Sequence, residues 1–396
     1  MLYRDEYEIE IESNGTSIIS DPKDISFTLS ENIYNIYSTG LIEVTDSTGI
    51  LQESLLTMKG SNLEITYGNI ERSNRTPMII LNDRTEEEPV QTGILSTKVS
   101  VPIIHSWYKE QEVKSFGHRG EISSIVRDIV EPYRIFDSML IEGTNGTDIW
   151  YQCFVDDASF IENYLLPNAF SFNADSTPFC AFTTLDNVFN FTHMKKFFNE
   201  NVVATLDYSQ RANIETISEN PVSSIRRIKD RTDFLGELSE VVIYQINRNS
   251  GRLESRVTHI TDYNKPSSRK LPYIGSIEGA SSILDLDYVE PSTNQENNNT
   301  AQILFNQRRG MFLDRFMVLI PLNSDLHCGD KVQLNIDSSL DDSQSKFSNV
   351  FSSPYIIESL DHVWSGENHV GYTRLLLGRK YVSVPETYEI KSRMAP

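Results

Sequence analysis

Cysteine is scarce: Cys153, Cys180 and Cys328 are all that 396 residues contain. An odd number at such wide spacing excludes a disulfide framework and a CxxC metal site, and fits a reducing compartment. Basic charge is the second shortage. The 35 Lys and Arg stand against 56 Asp and Glu, leaving a net charge of −21. Nucleic-acid affinity depends on cations that displace counterions from phosphate, so tight DNA or RNA binding is disfavoured, as is attraction to an anionic membrane. No run approaches the roughly 18 apolar residues of a spanning helix, so no membrane insertion is expected. The opening Met1-Leu2-Tyr3-Arg4-Asp5-Glu6-Tyr7-Glu8 places acid where a signal peptide needs a cationic start and an apolar run. Folding in a cytosol, without disulfide or metal staples, is the expectation.

Catalytic signatures are missing too. HExxH, Walker-A and GxSxG do not occur. None of the seven histidines pairs at metal-binding spacing; His362 and His369, across Ser365-Gly366-Glu367, offer a zinc pair or, more commonly, two solvated residues of a hairpin turn. Ser343-x-x-Lys346 lies in a polar run where a buried nucleophile has no helix to sit on. Counting an EF-hand from Asp337 puts Asp342 where glycine is needed and Ser348 where the bidentate glutamate belongs, so that run is a solvated hairpin tip. Asp156, Asp157 and Glu162 are the one carboxylate cluster a glycosidase could use. Acid in a first helical turn, complementing the helix dipole, accounts for them better. Trp150 and Tyr151 just before them offer a sugar-stacking platform or, more commonly, a small domain's core. No catalytic, cofactor-binding or metal residue is assigned, and no enzyme activity or cofactor is expected.

What is present is a globular composition, 39% hydrophobic and 23% charged, of a length suited to two or three domains. Tyr7-Glu8-Ile9-Glu10-Ile11 and Leu63-Glu64-Ile65-Thr66-Tyr67 alternate with period two, and Pro77–Leu81 and Gly93–Val101 are further strands. Turns are read at Asp46–Gly49, Lys59–Asn62 and Ser73-Asn74-Arg75. Closely spaced strands of this kind predict a sandwich or barrel. Ile122, Ile125, Val126 and Ile129 then form a helical stripe that Pro132 stops, and Gly143–Thr147 reads as a loop. Phe160, Ile161, Tyr164 and Leu165 form a second helix ended by Pro167, followed by a strand over Pro178–Thr184.

From about residue 210 the pattern is β again. Val241–Ile246 is a strand with its turn at Asn247–Gly251, and the segment from Arg252 to about Leu286 is irregular. Glu290–Asn299 is an exposed loop, and Ala301, Leu304 and Phe305 make a helix that Gly310 stops. Phe316–Ile320, Val332–Ile336, Tyr355–Ile357 and Tyr372–Leu377 close the chain as strands. Gly60-x-x-Leu63-x-Ile65-x-Tyr67 is echoed by Gly329-x-x-Val332-x-Leu334-x-Ile336, in each case a glycine turn opening a strand with one apolar face.

The order of these pieces resembles the baseplate hub family of contractile-tailed bacteriophages, which is related to type VI secretion hubs. The resemblance spans nearly the whole chain. It rests on the helix Gly120–Val130, on Ile149–Phe154 leading into Asp157–Leu165 and the strand at Phe182, and on the helix before Gly310 leading to the strands at Gly329 and Tyr355. The closing strand Val370–Arg379 belongs to the same pattern.

The resemblance implies an α+β, mainly β chain with two similar β-barrel domains, a small α/β domain between them and an insertion domain in the second barrel. The expected limits are 1–108 for the first barrel, 109–209 for the α/β domain, and 210–250 with 300–381 for the second barrel. Residues 251–299 with 382–396 form the insertion and tail. It further implies a homotrimer whose six barrels form a ring, a tail tube protein on one side and a central spike protein on the other. Other baseplate proteins are further expected partners, and the insertion Arg252–Asn299 is read as a partner-facing element. Type VI hubs are fused to their spike, whereas this chain stops at Pro396, so a separate spike is implied. The expected place is the virion baseplate, after assembly in the host cytoplasm. DNA would pass the lumen without specific binding, and an acidic lumen would repel phosphate and keep the duplex mobile. The competing readings are a receptor- or carbohydrate-binding β module of the same virion and a cell-wall hydrolase using the carboxylates near Asp157.

Overall fold

Period-two patterning becomes strands through most of the first hundred residues: β1 (Tyr7–Ser13), β2 (Thr16–Ser17), β3 (Ile25–Asn32), β4 (Thr39–Asp46), β5 (Asn62–Asn69), β6 (Arg72–Ile80), β7 (Arg84–Glu86) and β8 (Thr97–His105). The computed structural model describes residues 7–13, 16–17, 25–46, 60, 62–69, 72–81, 84–86, 97–171, 178–209, 220–228, 240–246, 253–259, 281–283, 312, 314–337, 351–366, 368 and 370–379. The helix expected before Gly310, the loop Glu290–Asn299, the turn Asn247–Gly251, Ser343-x-x-Lys346, His369 and the tail 382–396 lie outside these residues, as does the acidic run beyond Asp337.

β3 shows the rule most plainly. Ile25, Phe27, Leu29 and Glu31 are buried, while Ser26, Thr28 and Ser30 face the other way. Each fully buried Ile, Leu or Phe contributes about 1.5–3 kcal/mol of burial free energy. Ser73-Asn74-Arg75 is not a turn. These residues lie inside β6, paired with Gly68, Tyr67 and Thr66, because the ladder outweighs the weak strand preference of Ser and Asn.

The middle region contains β9 (Lys114–Gly120), α1 (Ile122–Val130), β10 (Ser138–Ile141), β11 (Asp148–Val155), α2 (Asp157–Phe160), β12 (Phe179–Thr183), β13 (Val188–His193) and α3 (Met194–Asn199). α2 widens into a π turn over Ile161–Leu165 and ends in a 3-10 turn containing Pro167. The stripe Ile122, Ile125, Val126 and Ile129 packs with Trp107, Phe160, Phe189 and Phe191 into a core distinct from that of the large sheet. Strands β10, β13 and β12 form one small sheet, and β9 with β11 a two-stranded ribbon.

The last region runs β14 (Val202–Ser209), β15 (Ser224–Ile228), β16 (Glu240–Ile246), β17 (Leu253–His259), β18 (Ser281–Ile283), β19 (Asp314–Pro321), β20 (Lys331–Asp337), β21 (Ser353–Ser365) and β22 (Val370–Arg379). The stretch after Arg252 is therefore not irregular throughout. β17 and β18 flank β16 in a sheet of their own. β14 pairs with β20, which brings residues 202–209 into the sheet of the second β region.

β3 pairs with β21, so the described strands of both β regions, apart from β16, β17 and β18, form one continuous 14-stranded sheet. Among the described residues no ladder closes it into a barrel. Its strand order is duplicated. One half runs β1-β5-β6-β8-β4-β3 and the other β14-β20-β21-β22-β19-β15. If the six strands of each half are numbered along the chain, both orders are 1-4-5-6-3-2. All corresponding ladders are antiparallel except the outermost, where β1–β5 is antiparallel and β14–β20 parallel. The β16–β18 sheet occurs between β15 and β19, the place that residues 33–38 occupy between β3 and β4.

Candidate functional site

The acidic cluster is structural. Asp156 caps α2, its carboxylate accepting from the Ser159 N–H at 2.7 Å and the Ser159 hydroxyl at 2.8 Å. Asp157 is buried and accepts from Lys114 Nζ at 2.6 Å, from Gln152 Nε2 at 2.8 Å and from the Tyr133 hydroxyl. Burial, and then that bond, raise the Tyr133 hydroxyl well above the ordinary tyrosine range. Glu162, half-open like Asp156, has its pKa raised by burial and by the nearby Asp156 charge. Both Asp157 oxygens are thus engaged, tying the start of α2 to β9, to β11 and to the turn that follows α1. A carboxylate so occupied is poorly placed to attack a glycosidic carbon or activate water.

Trp150 and Tyr151 part company because successive strand residues face opposite sides. Trp150 packs against the small core, whereas Tyr151 is 67% exposed. Ile149 and Tyr151 share one face of the ribbon, while Phe116 of β9, paired opposite Gln152, is exposed on the other. At the bulge between Cys153 and Val155, Phe154 adopts a left-handed backbone (φ 54°) and is 80% exposed. His362 is not a solvated loop residue. It is buried in β21, its Nδ1 2.9 Å from the Thr373 hydroxyl, and burial followed by the His327 charge pushes it down to about 3.

The point where the three regions meet was not legible in the sequence. Glu31 of β3 is buried, and its carboxylate accepts from the backbone N–H of Leu185 (2.6 Å) and of Cys328 (2.7 Å) and lies 2.9 Å from Nδ1 of His327. Asp186 lies 3.6 Å from the other ring nitrogen. Burial alone would lower His327, but the charge and hydrogen bond of Glu31, then Asp186 and Asp330, raise it to about 9. A second ion pair stands close by: half-buried Arg315 binds buried Glu358 through two bonds of 2.8 Å. Burial nevertheless raises Glu358 to about 7, with Arg315 opposing the shift.

Gly60 and Gly329, which open the echoed segments, have the same geometry. Both have positive φ, 76° and 90°, which residues with a Cβ adopt only at a cost. The Gly60 N–H donates to the Ile80 carbonyl at 3.0 Å, and the Gly329 N–H to the Ile357 carbonyl at 2.9 Å. Three residues on, Leu63 pairs with Met78 and Val332 with Tyr355, so the two acceptor carbonyls occupy the same register.

This register extends to the junction and to two sheet edges. β21 slips by one residue against β22 between Ile357 and Ser359. β7 continues β6 along β8 with the same one-residue slip, Ile80 opposite Ile103 and Arg84 opposite Ser100. Arg84–Glu86 therefore corresponds to Asp361–Val363, which is where β21 receives β3. Among the described residues β7 pairs with β8 alone, and β15, the counterpart of β3, is the terminal strand of the order. Such edges present backbone donors and acceptors on which another strand can build.

No family model and no curated protein matches the chain. Solved structures do. A 43 kDa tail protein of prophage MuSo2 from Shewanella oneidensis superposes with a TM-score of 0.60 at 7% identity, covering 94% of this chain and 98% of that chain. A tail protein from Neisseria meningitidis MC58 gives 0.58 at 10% identity, covering 94% and 97%. An Escherichia coli component of the type VI secretion system, itself described as structurally similar to tail proteins of bacteriophage T4, gives 0.51 at 10% identity, covering 95% and 80%. The chain has the fold of these tail and secretion-system proteins over nearly its full length.

Proposed function

We propose that the chain is the structural hub of a contractile phage tail or a related injection system. In this reading each half of the duplicated strand order belongs to one tube-like barrel. Three chains then present six such units, and the ring joins a sixfold tail tube to a threefold spike. The observation that carries the reading is the shared 1-4-5-6-3-2 order, anchored by Gly60 and Gly329 in matching turns. The fold held in common with tail proteins supports it. The engaged state of Asp156 and Asp157 favours a structural role over hydrolysis. An acidic lumen that lets DNA slide belongs to the same proposal, motivated by the net charge of −21.

A second reading, a receptor- or carbohydrate-binding module of the virion, draws on the exposed Phe116, Tyr151 and Phe154 of the β9–β11 ribbon. Light scattering separates the two. A hub gives a mass of three chains, alone or with its spike protein, whereas a monomer in both samples contradicts the hub. Retention of duplex DNA on the assembled ring at low salt would contradict the acidic lumen.

A further inference from the structure

The junction between the two halves of one chain specifies a second junction between chains. Within the chain, β3 of the first half adds antiparallel to β21 of the second, Ser30 opposite Asp361, Leu29 opposite His362 and Thr28 opposite Val363. The ladders carry each of these strands to its counterpart in the other half. Ser30 stands opposite Thr39 and Ile228 opposite Arg315, with Thr39 and Arg315 at equivalent places on β8 and β22. Hence Thr28, Leu29 and Ser30 correspond to Arg226, Arg227 and Ile228. By the shared slip, Asp361, His362 and Val363 correspond to Arg84, Thr85 and Glu86.

We infer that β15 of one chain adds antiparallel to β7 of a second copy, with Arg84 opposite Ile228, Thr85 opposite Arg227 and Glu86 opposite Arg226. The contact repeats the internal junction, so it is head-to-tail and uses two different edges of the same chain. Repeated contacts of that kind close into a ring when the rotation permits. Opposite charge falls where the register needs it, at Glu86 against the exposed Arg226. The occupant of each edge is thus another copy of this chain. The inference rests on the hub reading and adds to it the strands and register through which copies meet.

Disulfide trapping tests it. Directly opposed strand residues have Cα atoms about 4.5–5.5 Å apart, within the range a disulfide spans. In a Cys153→Ser background, which removes the exposed thiol, the full-length Glu86→Cys/Arg226→Cys variant is oxidised mildly and run without reductant. Thr85→Cys/Arg226→Cys, one residue out of register and on opposite faces, is the control. Covalent dimers and trimers from the first pair, at roughly ten times the control yield, are expected. If light scattering shows trimers but the opposed pair does not cross-link above the control, the edge pairing is wrong and the hub reading stands. A chain that stays monomeric with and without its spike overturns both.

Discussion

The Glu31 carboxylate lies 2.9 Å from Nδ1 of His327, a residue 296 positions later, inside the seam where the two halves of the sheet join. The contact also reaches the middle region, because the same carboxylate accepts the N–H of Leu185. With Glu31 buried to 1% exposure, the histidine is the cation that makes its charge tolerable.

Stability should therefore fall in mild alkali. His327 titrates near 9 in the folded chain against an ordinary 6.5, so the folded state holds the proton more tightly. That contribution is fully present below about pH 6.5 and is lost as pH rises through 9. It amounts to about 3 kcal/mol. Half-buried Asp330 and buried Glu358, raised to about 6 and 7, also give up stability as pH climbs from the ordinary carboxylate range to those values, so the comparison needs a variant. Urea unfolding of the wild type and His327→Gln should show a gap at pH 6.5 that narrows by that amount at pH 9.5. A constant gap would contradict the assignment.

Acid acts through other histidines. Burial holds His105 down at about 4 and His362 at about 3, so the stability they supply exists above about pH 6.5 and drains as pH falls toward those values. His362→Gln should flatten the acid limb of the unfolding curve while leaving the alkaline limb in place.

The three carboxylates near α2 should separate by role. Asp157→Ala leaves Lys114, Gln152 and Tyr133 without their acceptor and should cost about 3 kcal/mol. Asp156→Ala removes a cap and should cost about 1 kcal/mol. Glu162→Gln should stay within about 0.5 kcal/mol. Denaturant titration orders them, and an unaffected Asp157→Ala protein would reopen a chemical role for that residue.

Much of the fold was legible where one side of a strand faces a core and the other does not, as in Leu63–Tyr67, and where a helix carries a clean stripe, as in Ile122–Ile129. Legibility failed where function or junctions place polar groups inside. Glu31 and Glu358 interrupt β3 and β21 with buried charge that no period-two reading expects. β9 and β11 were obscured because their ribbon leaves Phe116, Tyr151 and Phe154 outside. The glycine echo was visible because both turns require positive φ. Its meaning, a duplicated strand order, depended on ladders between residues far apart in the chain.

The two echoed glycines should respond unequally. Gly60→Ala meets open space and should cost about 1–2 kcal/mol for its left-handed backbone alone. At Gly329 an added Cβ would sit 2.7 Å from the Phe197 ring, so Gly329→Ala should cost more. Equal losses in parallel unfolding curves would contradict the packing at Gly329.

The central claim is that a duplicated unit lets three chains present six. An end-on electron-microscopy image of the purified assembly tests it most directly. A ring of six lobes in which alternate lobes match is the predicted result; isolated single chains, or a ring with any other number of lobes, would contradict it.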